Sequence, residues 1–119
     1  MSLNAEQMRS LSRCFTAIPD PRRAQGRRHR LAVVLALAAG ASLCGMRGYK
    51  AMAEWATSLG QGARRRFGCR RVNGRYIVPS QFVIRDCLVR VDADALDQAL
   101  LAWHQAWLDP DDEALALPA

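Results

Sequence analysis

The chain is short of acids where its cations lie and has no cations where most of its acids lie. Residues 1–90 hold all 17 Lys and Arg against only Glu6, Asp20, Glu54 and Asp86, a balance of +13. Residues 91–119 hold seven acids and no Lys or Arg, a balance of −7. This asymmetry excludes an evenly mixed surface and points to a polyanionic partner for the first part and a separate job for the tail. Cys14, Cys44, Cys69 and Cys87 stand 30, 25 and 18 apart with no CxxC pair, and His29 and His104 have no ligand spacing, which argues against a zinc centre. The four cysteines read as reduced, mostly buried small hydrophobes of a cytosolic protein. Serine–histidine–acid spacing, a phosphate-binding glycine loop and a metal cluster are all missing, so catalysis has no support. His104, beside Trp103, reads as a surface or interface histidine, and Asp109, Asp111, Asp112 and Glu113 as a solvated charge run rather than a magnesium site. "MSLNAEQMRS" lacks the charged start and apolar core of a secretory leader.

A long apolar run is also missing. The oiliest stretch, Leu31 to Cys44, is 14 residues, and at ~1.5 Å per residue it falls short of the ~30 Å hydrocarbon layer. Ala32, Ala36 and Gly40 recur every four residues within it, a smooth strip on which another helix can sit closely. It is predicted as a core helix.

Helical periodicity dominates what is present. Met8, Leu11, Phe15 and Ile18 mark a first helix over 4–17, with Asn4 and Gln7 as a capping box and Pro19 as its end. A basic loop at 20–30 leads into the core helix, which closes at Gly45 and Gly48. A third helix at 49–59 buries Met52, Trp55 and Leu59. "GARRRFGC" allows one or two turns. "RRVNGRYIV" carries Asn73-Gly74, the signal of a tight hairpin near 70–78, with a plain loop as the alternative. Ser80 begins a helix to Val91 that buries Ile84, Cys87, Leu88 and Val91. Asp92 or Asp94 caps the last helix, about 94–108, with Leu96, Ala99, Leu100, Trp103 and Trp107 inward. The expected architecture is all-α, a compact bundle of about five helices over 1–108, followed by an acidic linker or disordered tail over 109–119.

Two arginine runs are the strongest local signals. Arg22, Arg23, Arg27, Arg28 and Arg30 stand directly before the core helix, so a phosphate there gains charge-assisted bonds and the attraction of a helix N-terminus. The alternative is a solvated loop whose arginines pair with Asp20 or with the acidic tail. Arg64, Arg65, Arg66, Arg70, Arg71 and Arg75 form the second run, and folding that brought both to one side would give a continuous basic face. Sixteen of the 17 cations are arginine, the residue suited to bidentate phosphate and guanine contacts, although a GC-rich genome gives the same bias. On the helix from Ser80, Gln81 and Arg85 at i and i+4 reach base edges if that helix enters a major groove; otherwise it is an ordinary amphipathic helix. A helix-turn-helix wants its first helix three or four residues upstream, and here glycines and the hairpin intervene.

"FTAIPDPRRAQGRRHRLAVVLALAAGASLCGMRGYKAMAEWA" and "GRYIVPSQFVIRDCLVRVDADALDQALLAWHQAW" resemble the N-terminal domain of bacterial insertion-sequence transposases of the H-repeat-associated type. The resemblance covers Leu11 to Trp107. It implies a helical, non-catalytic domain in front of a ribonuclease-H-like domain whose two aspartates and glutamate bind divalent metal for DNA cleavage and transfer. The first of those aspartates is expected just beyond Ala119, so the chain itself calls for no cofactor. The family pattern has a threonine three residues after the Pro-Ser that starts the helix at 80–91; Val83 stands there instead. The implied partners are double-stranded DNA at transposon ends, the catalytic domain and a second copy of the chain, in a bacterial cytoplasm near the nucleoid and away from membrane. The candidate DNA contacts are Arg22, Arg23, Arg27, Arg28, Arg30, Arg64, Arg65, Arg66, Arg70, Arg71, Ser80, Gln81 and Arg85. A protein-interaction module without DNA affinity is the rival reading.

Overall fold

The oily stretch becomes the central helix of the domain. In the computed structural model, which describes residues 2–107, α1 spans Ala5–Cys14, α2 Leu31–Leu43, α3 Tyr49–Ser58 and α4 Gln61–Phe67. A two-stranded hairpin follows, β1 Arg71–Val72 and β2 Arg75–Tyr76, then α5 Gln81–Arg90 and α6 Ala93–Trp107. The all-α expectation holds, with six helices rather than five among the described residues. Apolar on every side, α2 is buried from Val33 to Ala41, the pattern of a helix enclosed by others. It packs against α1, α3, α4 and α5.

The small-residue strip is where aromatics enter. A Cβ on Gly40 would lie 3.0 Å from Trp55 Cη2 and 3.3 Å from Phe67 Cζ. Its absence lets Trp55 of α3 and Phe67 of α4 meet edge to face over α2, with centroids 6.1 Å apart. Leu11 of α1 and Phe15, its C-cap, are fully buried. The capping box forms: Asn4 Oδ1 accepts from Gln7 N at 2.8 Å, and Gln7 Oε1 accepts from Asn4 N at 2.9 Å. Gly45, at φ +90°, closes α2 by letting Met46 N reach back to Ala41 O.

The hairpin forms as well. Asn73 and Gly74 both take positive φ, which matches the right-handed twist of the strands they join. Arg71 pairs with Tyr76 and Val72 with Arg75. Ser80 Oγ caps α5 by accepting from Val83 N, and Asp92 Oδ1 caps α6 by accepting from Asp94 N and Ala95 N. Ile84 and Cys87 are buried as expected.

One inward assignment is corrected. Trp103 is buried and its Nε1 donates to Ser10 Oγ at 2.8 Å, but Trp107, on the same face one turn later, is 40% exposed. The helix outruns the core it packs on. The tail assigned to 109–119 lies outside the described residues. Cys14, Cys44, Cys69 and Cys87 form no disulfide among the described residues, and burial pushes Cys14, Cys69 and Cys87 up to about 11, which keeps them protonated. No helix of the described residues is long and apolar enough to cross a membrane.

Candidate nucleic-acid interface

The loop before α2 is organised around Asp20. Its Oδ1 accepts from Arg22 N and Arg22 Nε, each at 3.0 Å, and its Oδ2 accepts from Arg22 Nη2 at 2.8 Å. Arg22 Nη2 also donates to His29 O at 2.7 Å. Arg27 closes the turn from outside, donating to Arg22 O and Asp20 O. Arg22 is therefore 3% exposed. Its assignment to a phosphate is corrected: the guanidinium is a strut inside the loop, oriented by the carboxylate two residues before it. The hydrogen bonds from Arg22 hold the Asp20 carboxyl below its ordinary range. Burial, then the charges of Arg70 and Arg22, lower the pKa of His29.

A second strut supports the second run. Arg64 donates to Leu59 O at 2.9 Å, Tyr76 O at 3.0 Å and Thr57 O at 2.8 Å. Beside it, Gln61 Nε2 donates to Tyr76 O, and Gln61 Oε1 accepts from Tyr76 N. The hairpin is thus mounted on α4, and Arg64 is spent inside rather than offered to DNA, a second correction. Arg71 lies over the Tyr76 ring with its Cζ 5.9 Å from the centroid, a cation–π contact that steadies it at the surface.

Arg23, Arg28, Arg30, Arg65, Arg66 and Arg70 remain exposed and make no ion pair among the described residues. The two runs meet where Arg30 Nη2 donates to Gly68 O at 3.3 Å. Ser12 Oγ ties α1 to the same corner by donating to Phe67 O at 2.6 Å. Between them opens a cavity of about 250 Å³ lined by Arg9, Arg13, Arg30 and Arg66, with Ser12 and Thr16. Arg9 and Arg13 were missed by the sequence reading. Their signal was the outward stripe 9-12-13-16 on α1, opposite the buried Leu11 and Phe15.

No hydrogen bond or ion pair among the described residues joins α5 to this corner, although Asp86 and Cys87 of α5 lie near enough to Arg22 to act on its charge. Ser80 Oγ is occupied as the helix cap, Arg85 is exposed, and Gln81 lines a separate cavity with Lys50, Glu54 and Thr57 of α3. α3 and α5 do pack together, but residues 59–80, with α4 and the hairpin, lie between them in the chain. No group of three or more His, Cys, Asp or Glu able to hold a metal ion occurs among the described residues.

Fold and surface together define a small helical domain with an arginine-bearing face. Residues 12–104 match the family described as DDE_Tnp_1-associated, and the chain belongs to that family. It is thereby an accessory domain associated with DDE transposases. No match was found among curated proteins or solved structures.

Proposed function

We propose that the chain is the non-catalytic, DNA-contacting domain of a DDE transposase, gripping the backbone of double-stranded DNA at transposon ends. The observation that carries this is the meeting of the two arginine runs at Arg30 and Gly68, which sets exposed guanidiniums from both on neighbouring surface. Arg23, Arg28, Arg30, Arg66 and Arg70 are the phosphate contacts; Arg65 and Arg71 extend the face. Arg27 contributes from the loop's outer side. Arg85 and Gln81 reach base edges only if α5 enters a groove, and Ser80 then acts through its cap. Divalent metal and strand chemistry belong to the catalytic domain, and the work is done at the nucleoid of a bacterial cytoplasm.

Titrating a duplex against the protein at increasing salt tests the reading. With about five phosphate contacts, log affinity falls against log salt with a slope of about −4.5. A flat response, or no duplex binding at low salt, overturns it.

A second reading rests on a separate observation. Phe82, Val89 and Leu101 are 72%, 62% and 59% exposed, and an apolar groove of about 290 Å³ runs between Leu35, Leu43, Met52, Leu88, Leu96 and Leu100. Such surface suits a second copy or the catalytic domain. A dimer in sedimentation that has no DNA affinity would put this reading in place of the first.

A further inference from the structure

The cavity between α1, the start of α2 and the end of α4 has an electrostatic imbalance that the described residues leave standing. Four arginines line it, Arg9, Arg13, Arg30 and Arg66, and among the described residues no Asp or Glu does. The Arg66 guanidinium lies back along α4 beside Gly62 and would swing on its flexible stem to reach a ligand. Arg9 bonds Glu6 at 2.8 Å on the exposed surface, and Arg30 reaches Gly68 O at 3.3 Å. The guanidiniums of Arg13 and Arg66 make neither a hydrogen bond nor an ion pair among the described residues, although Arg13 O accepts from Thr16 Oγ1.

The end of α2 adds to the imbalance. Arg30 occupies its N-cap without a side-chain capping bond to the helix amides, and its first turn has no acidic residue. Helix starts favour Asp, Asn, Ser or Thr at that place, because their oxygens meet the free amides. Here the positive end of a 13-residue helix faces further positive charge. Arg13 and Arg66 do sit in the last turns of α1 and α4, whose carbonyl ends offset about half a charge each. With Glu6 counted in full, a net charge of about +2.5 remains around the cavity.

We infer that this cavity seats one phosphate group, held chiefly by Arg13 and Arg66, with Arg30 and the first amides of α2 behind it. The volume of about 250 Å³ equals roughly eight waters, enough for a phosphate and part of its hydration. The hydroxyls of Ser12 and Thr16, on the same wall, already donate to Phe67 O and Arg13 O, so the donors to the phosphate are the guanidiniums and the helix amides. That the phosphate comes from DNA rests on the reading proposed above; the seat does not. On that reading α1 joins the DNA-contacting face, which extends beyond the two arginine runs.

The test is a titration of the protein with inorganic phosphate against chloride at matched ionic strength, followed by amide NMR shifts, alongside a duplex with or without a 5′-phosphate. Saturable shifts at Arg13, Leu31, Ala32, Phe67 and Gly68 are expected. Arg13→Gln and Arg66→Gln should each weaken phosphate binding by about tenfold with circular dichroism unchanged, both side chains being exposed. Shifts that never saturate, or that both variants leave intact, overturn the seat even if the duplex binds. Phosphate binding that the variants abolish, without affinity for either duplex, keeps the seat and removes the DNA reading. Preference for the 5′-phosphorylated duplex assigns the seat to a strand end, and equal affinity assigns it to the backbone.

Discussion

In the loop at 20–30 an arginine is drawn inward by a carboxylate; in the segment at 61–76 one is drawn inward by three backbone carbonyls. The first run commits Arg22, and Arg27 from outside, to the loop's own oxygens, and the second commits Arg64 to the hairpin and α3. The acceptors differ, and so do the consequences. Arg22 and Asp20 form an ion pair with side-chain exposures of 2% and 17%, so desolvation and attraction are both large and nearly opposed. Arg64 satisfies neutral carbonyls at no cost in paired charge, and Gln61 shares the work at Tyr76. The first mount depends on protonation, while the second depends on geometry alone.

Removing each strut should separate the two designs. Arg22→Ala leaves the Asp20 carboxylate, in a mostly buried place, with only Arg27 Nε at 3.7 Å as an ion-pair partner, and the loss expected is about 3 kcal/mol, read as a lower urea midpoint. A loss below about 1 kcal/mol would show that Asp20 finds water readily and that the loop does not lean on Arg22. Arg64→Ala comes next, at about 1–2 kcal/mol. Its effect is local: hydrogen exchange at Tyr76 and Ile77 should quicken while α2 stays protected. Uniform loss of protection would mean that Arg64 supports the whole domain.

The smallest effect concerns pH and bears on the first mount alone. The folded-state pKa of His29 lies below its ordinary 6.5, first because of burial and then because of Arg70 and Arg22. The unfolded chain binds the proton more readily, so stability is fully present above 6.5 and declines as pH falls below it. Asp20 adds a second loss at more acid pH, below its ordinary 3.8, where protonation breaks its bonds to Arg22. Melting temperature followed from neutral to mildly acid pH should therefore drop, and His29→Gln should flatten that part of the curve. An unchanged curve in the variant would place the titrating group elsewhere.

Much of the fold was legible because it follows local rules. Asn4 with Gln7, Asn73-Gly74, Ser80 and Asp92 each specify a cap or turn from a few neighbouring residues, and each forms. The period of Leu11, Phe15, Ile84 and Cys87 shows which sides turn inward. Trp107 keeps that period yet stays exposed, since period gives direction but not the extent of the surface that receives it. The site was less legible. Arg22 and Arg23 are adjacent and chemically the same, and only the turn at Asp20 and the carbonyl of His29 choose between them. An aspartate two residues before an arginine was the available signal. Arg64 carried none, because its three acceptors come from the end of α3, the Leu59 junction and β2. The pairing of the α1 stripe with Arg66 is tertiary throughout.

The bond from Trp103 Nε1 to Ser10 Oγ bears on where this folding unit begins. The family match starts at residue 12, leaving outside it Leu11, the Ser10 hydroxyl and the Asn4–Gln7 cap. A fragment cut to the matched boundaries would lose seven of the ten residues of α1, and with them the buried Leu11 and the partner of the Trp103 indole N–H. The cooperative domain accordingly reaches back at least to Asn4, and any minimal version of it has to carry those residues.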